Sequence, residues 1–275
     1  MGEHPRRTGR NIRRNRQGGR MRHFISAWKI GGHSLRENYK NKFFSLFIIF
    51  AGVLIYASLL AGVMAVDEEA RMLTDTGLAL MELMTLAYSV LAAASAITRE
   101  IETKTIYLVF SRPVSRPAYL AGKAGGLYAA AALMLGVMAL LHLSLIYSRG
   151  FTPPPFYLKA VFFIWCKILM ISSVTLFVSL FTTSTFSAVS IAGILWILGH
   201  FTSEAKFLIA RSSGAAALAL SAGAYLTPNF QLFNARDLGA AAPPPAAPGF
   251  LAAYLLVWMA APYLFSLALF RKKEF

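Results

Sequence analysis

The chain has 275 residues, 57% of them hydrophobic and 14% charged, and a net charge of +15, with a mean hydropathy of +0.56. Soluble domains carry about 25% charged residues, so the composition excludes an ordinary soluble enzyme or binding module and defines an integral membrane protein. The single cysteine, Cys166, excludes an intrachain disulfide and reads as a small apolar side chain.

Residues 1–22 form a basic tail with Arg6, Arg7, Arg10, Arg13, Arg14, Arg16, Arg20 and Arg22, read as disordered. Beside a membrane such a tail is held by anionic head groups at about 1 kcal/mol per cation. The aromatic interleaving of a single-strand binder is missing, so no nucleic-acid partner is expected. The tail lacks the apolar h-region of a cleaved signal, and a start at Met21 would remove most of its charge.

Residues 23–42 mix Phe24, Ile25, Trp28, Ile30 and Leu35 with Lys29, Arg36, Lys40 and Lys42, the pattern of an amphipathic elbow helix lying in the interface. Trp28, Arg36, Lys40 and Lys42 are its expected anchors. Gly31-Gly32 costs about 1 kcal/mol per glycine relative to alanine, which predicts a break into two short segments.

A bilayer core about 30 Å thick requires about 20 apolar residues of helix. Six runs of that kind follow, at 43–66, 78–98, 124–147, 160–181, 186–202 and 250–270. None alternates as a barrel strand does, so the fold class is all-α, a six-helix transmembrane domain over 43–275. Lys and Arg set its orientation. Twenty of them flank the membrane on the side of the N-terminus, the 99–123 loop and the C-terminus, against six on the alternate connections. Both termini are therefore expected in the cytoplasm, with the protein multi-pass in the cytoplasmic (inner) membrane.

Ile97, Ile101, Thr105 and Leu108 recur at helical spacing, with Arg99, Glu100, Glu102 and Lys104 on other faces, so the second helix is expected to run past the membrane until Ser111-Arg112-Pro113 ends it. Ser115 is the expected N-cap of the next helix, with Pro117 in its first turn. Val109, Phe110 and Val114 are expected at the exposed tip. Two readings of that tip are open, a docking knob for a cytosolic partner and a solvated loop.

Glu82 and Lys167 are each costly in hydrocarbon, at about 2.5–3.5 kcal/mol near the centre. Both are expected near the outer ends of their spans, with His142 at similar depth. They stand as a candidate intramembrane polar pair, with snorkelling and solvation as one alternative and direct contact of Glu82 with a substrate as another. Residues 203–249 make the largest extracytoplasmic segment, with an Ala-rich helical stretch at 205–226 whose 214–226 part is too short to span and is expected to cap the outer surface, followed by a Pro/Ala stretch at 240–248. Zinc-type spacing, HExxH and GxSxG are absent, so no metal site and no catalytic residues are assigned.

The run Arg99, Glu100, Glu102, Thr105, Ile106, Ser111, Pro113, Val114, Ser115, Arg116, Gly122 and Lys123 resembles the coupling-helix loop of permease subunits of type-2 ATP-binding-cassette (ABC) exporters, in the NosY-like and GldF-like branch of copper-enzyme-maturation and gliding permeases. Weaker similarity covers Thr-Pro-Asn-Phe-x-x-Phe-Asn at 227–234 and the terminal Arg-Lys-Lys-Glu-Phe. The family usually has glycine where this chain has Lys104.

The resemblance implies a transport subunit with no cofactor of its own. ATP and Mg would be bound by a separate ABC ATPase, two per complex, and a second permease subunit would complete a homodimer or heterodimer. The chain has no P-loop of its own, since Pro117 stands at the required glycine ahead of Gly122-Lys123 and Ala124 at the Ser/Thr position. The implied ATPase-coupling interface has Arg99, Glu100, Glu102, Arg112 and Arg116 as charged rim, Val109, Phe110 and Val114 as apolar anchors, and Thr105 and Pro113 between them. Alternatives are a secondary transporter, disfavoured by the lack of internal repeats and by uncharged first and third spans, and a non-transporting membrane anchor with an identical loop.

Overall fold

The computed structural model describes residues 27–64, 68–111, 114–182, 184–234 and 246–272. The described residues begin in helix α1 (27–40). Then come α2 (Lys42–Met64), α3 (Glu69–Glu102), α4 (Thr105–Phe110), α5 (Arg116–Ser148), α6 (Tyr157–Ser179), α7 (Thr185–His200), α8 (Thr202–Arg211), α9 (Gly214–Leu226), a 3-10 turn (Phe230–Phe233) and α10 (Pro248–Lys272). No strand occurs among the described residues, which makes the protein all-α. The basic tail, Arg236 and most of the Pro/Ala stretch lie outside them.

Five helices, α2, α3, α5, α6 and α10, are long and apolar enough to cross a membrane, and a sixth crossing is present if α7 and α8, bent by 72° at their junction, count as one. The chain is thus a multi-pass membrane protein. α6 is the most enclosed helix and packs against α3, α5, α7 and α10; α3 in turn touches α2, α5 and α7. α2 keeps Leu46, Ile49, Phe50, Val53, Leu60 and Val63 exposed, a stripe at helical spacing that suits hydrocarbon rather than water.

Three local expectations change. α1 runs unbroken through Gly31-Gly32 because tertiary contact offsets the weak propensity: a Cβ at Gly31 would come within 3.4 Å of the Gly122 carbonyl, and Cβ atoms at Gly122 and Gly126 would sit 2.7 Å from Ile30 and 2.6 Å from Ser34. These contacts place α1 backbone to backbone on α5, a small-xxx-small crossing. Next, α3 ends at Glu102 rather than Ser111; Lys104 adopts φ 56°, and α4 follows as a separate helix ending before Ser111. Finally, the Ala-rich stretch is two helices, α8 and α9, packed on each other and parted at Ser212-Ser213.

Ser115 does occupy the N-cap of α5 with extended backbone and proline in the first turn, although its side chain makes no capping hydrogen bond. The 227–234 element folds as a plug: Phe230 and Phe233 are buried, the Asn229 side chain accepts from the Gln231 backbone N–H, and the Phe230 ring lies 4.6 Å from Trp196.

Candidate functional site

Two polar centres stand out in an otherwise apolar chain. The first is at the end of the bundle that carries α1 and α4, the elbow end. Lys123, one turn into the enclosed part of α5, is only 6% exposed, and a buried ammonium requires partners. Its Nζ lies 2.5 Å from Oε1 of Glu100 on α3 and 3.3 Å from Oε2 of Glu37 on α1. The Tyr119 hydroxyl donates to the other Glu100 oxygen at 2.5 Å. One ammonium therefore ties α1, α3 and α5 together where α3 and α5 leave the bundle.

Aromatic packing closes the other side of this elbow. Phe110, Tyr119 and Phe270 form a three-ring cluster with centroids 5.4–5.9 Å apart. Arg116 Nη1 donates to the Phe270 carbonyl at 2.7 Å, and the Tyr263 hydroxyl donates to the Pro117 carbonyl at 3.0 Å, fixing α10 to the start of α5.

The expected interface residues divide accordingly. Arg99, Glu102 and Thr105 are exposed. Glu100 and Arg116 turn inward to the contacts above. Phe110 and Val114, expected as outward anchors, are half-buried and pack into the cluster of Ile97, Ile106, Tyr119, Leu120 and Phe270. The break at Thr103-Lys104 rotates α4 relative to α3, and the outward apolar side chains become Tyr107 and Leu108, 52% and 69% exposed. Arg112, Pro113 and the Val109 side chain lie outside the described residues. A cleft of about 680 Å³ opens between α1 and this elbow, walled by Lys29, Glu37, Arg99, Thr105, Leu108 and Val114. Trp28, Arg36, Lys40 and Lys42 all project from the bundle.

The second centre is inside the bundle. Lys167 of α6 is ion-paired with Glu82 of α3, and both are almost fully enclosed. Neither is near a helix end: α6 starts at Tyr157, with Phe156 as its N-cap, and α3 starts at Glu69, so Lys167 lies about 15 Å and Glu82 about 20 Å along its helix. The third member of the cluster is His200 rather than His142. Nε2 of His200 lies 3.7 Å from Glu82 Oε1, and its Nδ1 is 3.0 Å from the Trp196 carbonyl of its own helix. The Trp196 ring faces the Lys167 ammonium at 5.9 Å. His142 instead bridges the Tyr157 hydroxyl (3.0 Å) and the Leu73 carbonyl (3.3 Å), across a gap that exists only because residue 77 is glycine.

Sequence reading missed Glu37, Tyr119 and His200. The Gly122-x-x-x-Gly126 spacing was the available signal for the α1 contact, and with it for Glu37.

Among the described residues no group of three His, Cys, Asp or Glu side chains is placed to hold a metal ion. What the fold presents is a polytopic helical membrane protein whose long helices extend into a braced elbow at one end. Over residues 37–275 the sequence matches the family model described as ABC-2 family transporter protein, and the chain belongs to that family. It is the membrane permease of an ABC transporter, a transport subunit rather than a catalytic one, in a family that works with an ATP-binding subunit. No curated protein matches it.

Proposed function

We propose that the chain couples ATP hydrolysis on a separate ATPase to export, with the elbow end in the cytoplasm and α4 as the element the ATPase grips. The observation that carries this reading is the pairing of an exposed apolar tip with a rigid base: Tyr107 and Leu108 face outward on α4, while Lys123, Glu100 and Glu37 lock the helices behind it. A force applied at α4 is therefore passed to α3 and α5 together, and a packed bundle shifts between discrete arrangements rather than deforming smoothly.

Arg99, Glu102 and Thr105 form the polar rim in this reading, with Arg112 as a further rim residue and Val109 as an apolar anchor beside Pro113. Two ATPases present two grooves, so two permease subunits, identical or sister chains, sit side by side in the inner membrane. Lys and Arg bias supports cytoplasmic termini, and the residue match across 99–123 supports the copper-enzyme-maturation and gliding branch. Exposed Trp28, Arg36, Lys40 and Lys42 hold α1 at head-group depth.

The test is co-purification with the ATP-binding subunit. Leu108→Asp, which leaves the Lys123 cluster untouched, is expected to abolish co-purification and substrate-stimulated ATPase activity while thermal unfolding of the permease is unchanged. Full retention of the complex would overturn the assignment of α4. ATP-driven movement of cargo in inverted vesicles separates an exporter from a passive anchor.

A further inference from the structure

We propose that the narrow cleft between α2, α3 and the start of α7 is a loading site for a short apolar peptide whose terminal carboxylate rests on Arg99. The inference rests on the permease reading above and names a substrate class for it.

The cleft, about 270 Å³, is walled on α3 by Tyr88, Ala92, Ser95, Arg99 and Glu102, with Phe43 of α2 opposite. Positions 88, 92, 95 and 99 fall on one helical face, so the cleft is a groove along α3. It runs about 16 Å from Arg99 to Tyr88 at 1.5 Å per residue, the length of about five extended residues at 3.3 Å each. Arg99 and Glu102 are exposed at its mouth, and neither is in an ion pair among the described residues.

Tyr88 closes the deep end. It is 2% exposed, its ring is held edge-on by Phe44 and Phe47, and its hydroxyl has no hydrogen-bond partner among the described residues. A buried hydroxyl left unpaired is unfavourable, so the groove offers a donor with nothing to receive it. The Ser95 hydroxyl, midway, already donates to the Leu91 carbonyl of its own helix at 2.9 Å, so Tyr88 is the donor left to be received. A hydrocarbon tail cannot accept it, whereas an extended peptide brings carbonyl oxygens along its whole length. The apolar walls of Phe43, Leu91 and Ala92 select small or apolar side chains, and Glu102 beside Arg99 disfavours further acidic groups on the ligand.

The experiment uses the full chain alone in phosphatidylcholine vesicles, with a pentapeptide of alanine and leucine that carries a photoreactive leucine and a free carboxylate. Crosslinks are expected within residues 88–95. Tyr88→Phe should weaken labelling about fivefold, the worth of one hydrogen bond. Ala92→Leu should abolish it by filling the groove. The C-terminal amide should bind as weakly to the native chain as the acid does to Arg99→Gln.

Equal labelling by acid and amide, or labelling that survives Ala92→Leu, would overturn the proposal. So would a photoreactive fatty acid that labels the same residues without regard to Tyr88→Phe, which assigns the groove to lipid. Absence of labelling overturns it as well. The assay contains no ATPase, so a negative result leaves the permease reading intact. A positive result with no ATP-dependent release in the full complex would retain the site and reject the transport reading.

Discussion

Lys123 and Glu100 meet at 2.5 Å across the two helices that leave the bundle, with the lysine side chain 7% and the glutamate 18% exposed. Removing one partner strands the other. Glu100→Gln leaves Lys123 only the half-exposed Glu37 and is expected to destabilise by about 3 kcal/mol, the low end for a buried pair because the site borders a cleft. Lys123→Met should cost less than Glu100→Gln, since Tyr119 still donates to the carboxylate. Thermal unfolding in detergent measures both, and the double variant gives their coupling. Additive effects would remove the brace from the mechanism.

The Glu82–Lys167 pair, more deeply enclosed, predicts a stronger non-additivity on combination. Each charge is compensated by the other in an apolar interior, so Glu82→Gln or Lys167→Met alone should cost roughly 3–5 kcal/mol or prevent insertion. The double variant Glu82→Leu with Lys167→Met fills the space without charge and should recover most of the stability. If that double variant is stable but transport-dead, the pair serves the path rather than packing; full activity assigns it to packing.

The helical class and the main crossings were legible because span length and hydropathy depend only on local composition. What failed was phase. A continuous helix through residue 108 places Phe110 outward, but the left-handed Lys104 resets the rotation of α4 and turns Phe110 onto Tyr119 and Phe270. His142 was matched to Glu82 by depth alone, while its direction around the helix points it at Gly77 and Leu73. His200 is the last residue of α7, just before the bend into α8, a place where hydropathy carries no directional information. Glu37 and Lys123 lie far apart in sequence, and only the glycine spacing on α5 hinted that α1 lies across it.

Lys104 sits at φ 56°, a region that costs an L-residue with a side chain roughly 1–2 kcal/mol. Glycine removes that strain but gains freedom in the unfolded chain, so Lys104→Gly should raise stability by a net of about 0.5–1 kcal/mol. Lys104→Val should lower it, because β-branched side chains tolerate left-handed backbone least. A melting shift of opposite sign for either variant would mean that the turn at Thr103-Lys104 is not formed in the membrane.

The seat of α1 on α5 makes the sharpest steric prediction. At Gly126 an added Cβ would meet Ser34 Cβ at 2.6 Å and the Gly31 carbonyl at 2.7 Å, so neither backbone can give without separating the helices. Gly126→Val should therefore lift α1 away, breaking the Glu37–Lys123 contact while leaving Glu100–Lys123 in place. Limited trypsin digestion reads this directly, through faster cleavage at Lys29 and Arg36, both already exposed, with cleavage elsewhere in the chain unchanged. Gly125→Val is the control: a Cβ there meets nothing within 4 Å, and its digestion pattern should match the native chain. If the two variants behave alike, the close crossing is not what holds α1, and the lever consists of α3, α4 and α5 alone.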